Sequence, residues 1–373
     1  MYIVDFYNSE TLNLPKDRKD INFYNYLKTV FEDYLIEFQK LINEINLEFS
    51  NKNQNDINLI EIKSLFIDNN LSPYFVTKEI CDQILNIFSL NQKGDVKEAN
   101  KLMKDLLNGR GVCSHISRLM SKQNISKEID NLYHFRFRID NENLSERKDL
   151  FHIPYDKKHI VKSYRYSKTE QPCIYIAGST YLCWEETNQK GGDVYCSKFK
   201  AVNETKILNI AYRPAVWAAL FNEIIINKNK KDIDFYSERM HFILANAVCW
   251  PLIAACSIRV DINVNDKQEY IIPQLLMNWI LDCTDCDGIR YFSSKMDKYY
   301  REAKPGVNFA FPATINASKG YCDKLAKKFI LTEPQMFTLK DNYDNISLDD
   351  SEYQNTDFGK IEIGLSKELM DYI

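Results

Sequence analysis

The stretch Pro172-Cys-Ile-Tyr175-Ile-Ala-Gly178-Ser179-Thr-Tyr-Leu-Cys183-Trp-Glu185-Glu186 changes period halfway along. Pro172 to Ala177 alternates with β-branched and aromatic residues, which predicts a strand. Gly178-Ser179 breaks it, and the carboxylates that follow sit on a helix. Outward from this unit the same texture recurs. Tyr133–Ile139, Val194–Phe199 and Ile207–Ile210 read as strands. Gly288–Phe292 and Val307–Phe311 read as late buried strands. Helical stretches fall at Ala215–Ile226, Tyr236–Ala255 and Tyr270–Leu281. Strands and helices mix without regular βαβ alternation, so the predicted class is α+β.

Toward the N-terminus the period becomes helical. Leu27, Phe31, Leu35, Phe38, Ile42 and Ile45 recur every three or four residues and mark one amphipathic stripe. Ser50 to Asp56 is a polar break. Further helices are predicted from Thr77, with Ile80, Ile84, Ile87 and Phe88 buried, and over Val96–Leu107, ending at Gly109. Asn108-Gly-Arg-Gly111 reads as a turn. The expected division is a helical region over 1–120, a mixed domain over 121–330 and an acidic tail over 331–373. In that tail Asp341–Asp357 reads as a loop and Lys360–Leu365 as an edge strand.

The 373 residues are 45% hydrophobic and 27% charged, enough to fill a core, and a net charge of −4 argues against a general nucleic-acid binder. Met1–Ser9 has charge but no apolar core. His241–Ile258, the most apolar run, is interrupted by Pro251 and flanked by Arg239 and Arg259. Neither a signal peptide nor a membrane span is expected, and the location expected is the cytoplasm. Ten cysteines then read as free thiols, several inside apolar runs. Cys283-Thr-Asp-Cys286 lacks the second pair of ligands that a zinc site needs, so no metal is expected. No glycine-rich phosphate loop occurs.

Polar residues inside the apolar strands mark the candidate site. Arg136 and Arg138 share one face of the strand in Tyr133-His-Phe-Arg-Phe-Arg138. Tyr164-Arg165-Tyr166-Ser167 adds a third arginine before Tyr175, and Glu185-Glu186 follows. Arginine can clamp a pyrophosphate, tyrosine can stack on a planar ring, and a carboxylate can stabilise an oxocarbenium ion. Taken singly, each has a plainer use as a surface ion pair, a core ring or a solvated helix face. The ordered set is what points to chemistry.

That set resembles the RES domain, a family named for its arginine, glutamate and serine. Arg136, or Arg138 in its place, matches the first arginine of the family pattern. Arg165 matches the second, with Tyr166-Ser167 where Trp-Asn is common. Tyr175 matches the strand tyrosine, and Glu186 the glutamate, with Glu185 as competitor. Gly288-Ile-Arg-Tyr-Phe-Ser293 matches the serine element, with Phe292 in place of proline, and Asn308-Phe-Ala-Phe the closing strand. The match runs from about Leu132 to Pro312. The segment Ser145–Val161, with Phe151-His-Ile-Pro-Tyr-Asp, is similar to the longer members of the family. The resemblance implies an ADP-ribosyltransferase-like split sheet and cleavage of the nicotinamide–ribose bond of NAD, with water or phosphate as acceptor. It implies catalytic roles for Glu186, Arg165, Tyr175 and Ser293, and NAD contacts from Arg136, Arg138, Tyr166, Tyr175 and Ser293. Transfer of ADP-ribose to a macromolecule, or NAD sensing without turnover, would use the same residues. By analogy with the family, the resemblance implies a toxin or defence effector. An inhibitory or regulatory protein partner fits it too, as does self-association into a homo-oligomer, with the helical first third as the binding part.

Overall fold

In a computed structural model of the chain, the described residues are 2–18, 22–51, 62–64, 66, 72–120, 133–139, 144–188, 191–202, 205–226, 233–260, 266–282, 286–296, 306–314, 317–343, 350–365 and 370–371. The fold is α+β. The chain divides into two units, Met1–Ser121 with Tyr212–Trp279, and Lys122–Ala211 with Ile280–Ile373. This differs from the division expected from sequence. The helices near positions 215–279 join the N-terminal helices, and the chain end joins the mixed domain.

The first unit is helical. Its long helix Phe23–Asn51 buries Leu27, Phe31, Tyr34, Phe38 and Ile45 on one stripe. Part of the polar break expected after Ser50 lies outside the described residues. The helix Pro73–Gln92 starts one turn before the predicted Thr77, because proline fits the first helical position. Thr77 itself is buried, its hydroxyl donating to Pro73 O at 2.8 Å. Val96–Asn108 is capped by Asp95, whose Oδ1 accepts from Glu98 N at 3.2 Å. Gly109 ends this helix and caps Arg110–Leu119, so the predicted turn joins two helices. Helices Pro214–Ile226 and Ile233–Ala255, with Ile271–Asp282 up to Trp279, supply the rest. Within Ile233–Ala255 the Trp250 ring stacks on Tyr34 at 4.2 Å and 11°. No helix among the described residues is long and apolar enough to cross a membrane.

The second unit is built on a nine-stranded sheet, counted among the described residues. Its strands are β1 His134–Arg138, β2 Cys173–Ala177, β3 Gly192–Ala201, β4 Ile207–Ile210, β5 Gly288–Phe292, β6 Val307–Pro312, β7 Phe329–Leu331, β8 Gln335–Leu339 and β9 Met370–Asp371. Their order is β4-β5-β6-β2-β1-β3-β7-β9, with β8 also on β3. Among the described residues only β4–β5 pairs in parallel. β1 and β2 pair at a single position, Phe135↔Ala177, whereas β2–β6 and β1–β3 each pair at five. The sheet is therefore nearly divided there.

Alternation then sorts side chains between two cores. Ile174 and Ile176 join Phe309, Phe311, Phe199 and Phe329 on one side. Phe135, Ala177 and Cys196 face the helix Thr180–Glu186 and its Leu182, Cys183 and Trp184 on the other. The segment expected as a strand at Lys360–Leu365 lies largely in the helix Asp357–Gly364. Thr356 caps it, and Phe358 and Ile361 complete the second core. A three-to-four spacing against one helix decides the matter, where alternation over so short a run is ambiguous. The expected Asp341–Asp357 loop contains the short helix Asp350–Tyr353, and residues 344–349 lie outside the described ones.

Candidate functional site

The Thr180–Glu186 helix starts at Ser179, whose Oγ accepts from Leu182 N at 3.1 Å. Over its seven residues Glu185 and Glu186 take different sides. Glu185 is buried and accepts from Tyr181 Oη at 2.5 Å. Glu186 keeps 38% of its side chain exposed. Two donors converge on its Oε1: Ser293 Oγ at 2.8 Å and Asn308 Nδ2 at 2.7 Å. No hydrogen bond reaches Oε2 among the described residues, and Lys295 Nζ stands 3.8 Å from it.

Sheet register explains how these residues meet. Asn308 on β6 pairs with Ala177 on β2 and Tyr291 on β5, and Tyr175 pairs with Ala310. Tyr175, Ala177, Asn308 and Tyr291 thus share one face, opposite the Ile174 and Phe309 core. Tyr175 is half-buried, and its hydroxyl shares a 2.9 Å hydrogen bond with Ser167 Oγ. Burial, with the neighbouring Cys173 and Tyr291, holds the Tyr175 phenol well above its ordinary value of 10.0, so it stays protonated. Ser167 closes a tight turn with Tyr164, their backbones bonded at 2.8 and 3.3 Å. That turn carries Arg165, whose Nη2 donates to Ser294 Oγ at 3.1 Å. The second arginine thus meets the residue that follows the serine element, 129 positions along the chain.

The remaining candidates separate. Arg138 Nη1 donates to Asp149 O at 2.8 Å and ties β1 to the 3-10 turn Arg147–Leu150. Arg136 Nη1 is buried and meets no hydrogen-bond partner among the described residues. Arg136 lies one residue past the lone β1–β2 pair, where the sheet opens. Burial, then the neighbouring Arg138, pushes its guanidinium down to about 10, still cationic at neutral pH. A buried guanidinium nitrogen without an acceptor is costly unless an anion joins it. Tyr166, expected to contact the dinucleotide, is fully buried with its ring 4.5 Å from that of Tyr291. Ser293, expected to orient the substrate, is also fully buried; it donates to Glu186 and accepts from Lys295 N at 3.1 Å. Its hydroxyl orients the carboxylate.

Sequence reading missed Asn308 and Lys295. The available signal was an asparagine at a core register inside the apolar run Val307–Phe311. Lys295 gave none, because one lysine after a strand looks like ordinary surface. Among the described residues no three His, Cys, Asp or Glu side chains are placed to hold a metal ion. No disulfide joins any of the nine described cysteines; Cys283 of the Cys283–Cys286 pair lies outside the described residues.

No family model matches the chain, and no solved structure matches it. The chain is similar to a protein of Bacillus subtilis (strain 168) named "Putative toxin YopC", 30% identical over 245 residues. The match covers 62% of this chain and 54% of that protein, so the chain spans about half the length of the curated relative it matches.

Proposed function

We propose that this protein is a toxin that cleaves the nicotinamide–ribose bond of NAD in a RES-like, ADP-ribosyltransferase-like domain. The observation that carries this reading is the Glu186 carboxylate, held on Oε1 by Ser293 and Asn308 with Oε2 left open to a ligand. The near break in the sheet at Phe135↔Ala177, the contact of Arg165 with Ser294 and the toxin name of the relative all support it.

In this reading Arg136 and Arg165 take the pyrophosphate, and Tyr175 packs on the nicotinamide or its ribose. Arg138, which the sequence offered as an alternative to Arg136, holds the strand in place. Glu186 Oε2 accepts from a ribose hydroxyl and stabilises the positive charge that grows on the ribosyl carbon. The C–N bond breaks with its electron pair passing to the pyridinium nitrogen, so nicotinamide leaves neutral and needs no acid. Water or phosphate then bonds to the carbon and gives its proton to solvent. Such a site is sufficient with one carboxylate and without a metal.

The test is NAD consumption by the purified protein, with and without phosphate, beside Arg165→Ala and Glu186→Ala. Wild type should release nicotinamide, and Glu186→Ala should be slower by roughly a thousandfold, the scale of a lost transition-state electrostatic contact. Phosphate dependence would name the acceptor. NAD left intact under all conditions sinks hydrolysis and phosphorolysis. Label appearing on a macromolecule would instead indicate an ADP-ribosyltransferase, and binding without turnover a sensor.

A further inference from the structure

We propose that Lys295 and Asn308 are positioning residues that fix the Glu186 carboxylate for the reaction, an inference that rests on the NAD-cleaving reading of the site. Glu186 is the last residue of a seven-residue helix. Helix ends fray, and their last carbonyls lack partners within the helix. An exposed glutamate there would sample several rotamers. Two features oppose this, and they come from separate parts of the chain.

The first is Lys295. Its Nζ donates to Glu186 O at 2.7 Å, Asn188 Oδ1 at 2.8 Å and Glu185 O at 3.3 Å. These are as many acceptors as an ammonium has N–H bonds, and they close the end of the helix where cations are favoured. The ammonium reaches Glu186 Oε2 only as a charge 3.8 Å away, so it offsets the carboxylate without occupying it. The Lys295 backbone N–H also donates to Ser293 Oγ at 3.1 Å, which leaves the Ser293 proton free to point at Glu186.

The second is Asn308, 5% exposed and locked in β6 between β2 and β5. Its amide brings to Oε1 a donor whose position is set by the sheet. Ser293 and Asn308 on one oxygen fix the plane of the carboxyl group, and the second oxygen is presented in one direction. Pre-oriented groups of this kind raise the rate of the chemical step, and misplacement by about 1 Å costs on the order of 100-fold.

The experiment compares wild type with Asn308→Ala, Lys295→Met and Lys295→Arg, measuring kcat and KM for NAD together with thermal melting. Asn308→Ala and Lys295→Met should lower kcat by about 100-fold with KM within about threefold, and Lys295→Arg should recover most of the loss. Unchanged kcat per folded molecule, or a fall in KM-limited binding alone, overturns the proposal while the NAD reading stands. If the wild type cleaves no NAD, that reading fails by itself. The crystal structures of wild type and Asn308→Ala then decide: a carboxylate swung away in the variant upholds the positioning role, and an unmoved one overturns it.

Discussion

Acid should weaken the second unit through His152, by an amount the structure sets. His152 lies in the segment Ser145–Val161, and it is 1% exposed. Its Nδ1 is 2.8 Å from Ile153 O, and Cys322 N donates to its Nε2 at 2.8 Å. A carbonyl on one side and an N–H on the other admit one neutral tautomer, protonated on Nδ1. A second proton would set Nε2–H against the Cys322 N–H. Burial, opposed by the Ile153 carbonyl and reinforced by Arg136, pulls the imidazole from 6.5 down to about 4. The unfolded chain therefore takes a proton near pH 6.5 that the folded chain refuses until about pH 4. The stabilisation is complete above pH 6.5, falls as the pH drops through that window, and is gone below it. At about 1.4 kcal/mol per unit, the full drop is worth roughly 3 kcal/mol. That is a large share of the about 5–15 kcal/mol that holds a typical domain folded. Urea unfolding of wild type and His152→Gln between pH 7.5 and pH 4 measures it. Glutamine keeps an acceptor for Cys322 N but does not titrate. The wild type should lose about 3 kcal/mol more than the variant across the range. Parallel profiles would refute the reasoning.

Three further outcomes follow from the geometry. Arg136→Met should raise KM for NAD by about tenfold or more with little change in melting, whereas Arg138→Met should lower melting through the lost Asp149 contact, by about 1–2 kcal/mol in urea. Gly288→Ala should destabilise by about 1–3 kcal/mol, since a Cβ there would sit 2.7 Å from Ala310 O and 2.6 Å from Phe311 Cδ1; an unchanged unfolding midpoint contradicts this. Glu362 accepts from Thr180 N at 2.8 Å and Tyr353 Oη at 2.6 Å, and burial raises its carboxyl above 4.5, so its contribution is present at low pH and lost as the pH rises through the raised value. Glu362→Gln should therefore gain on wild type in unfolding free energy from about pH 4.5 upward, and a constant difference counts against it.

Much of the architecture is written locally. Short apolar runs with β-branched and aromatic residues placed the strands Cys173–Ala177, Ile207–Ile210 and Gly288–Phe292 within a residue, because such side chains suit a buried pleated surface. The helix Val96–Asn108 was legible from a period of 3.6, which buries Ala99, Met103, Leu106 and Leu107 on one stripe. Arg165, Tyr175, Glu186 and the serine element could be named from their types and order.

Choices that rest on contacts across the chain were not legible. Nothing local says that Tyr212–Trp279 folds with the N-terminal helices, since an apolar helix face does not name its partner. Arg136 and Arg138, on the same side of one strand, differ only in that Asp149 O reaches one of them. Glu185 and Glu186 differ by about 100° around a helix, which turns one toward Tyr181 and the other toward Ser293 and Asn308. Ser293 and Asn308 meet Glu186 over separations of 107 and 122 residues. Sequence determined which groups could do chemistry, because chemistry belongs to residue types. Tertiary structure decided which of them face one another, because a side chain's partner is set by sheet register and helix rotation.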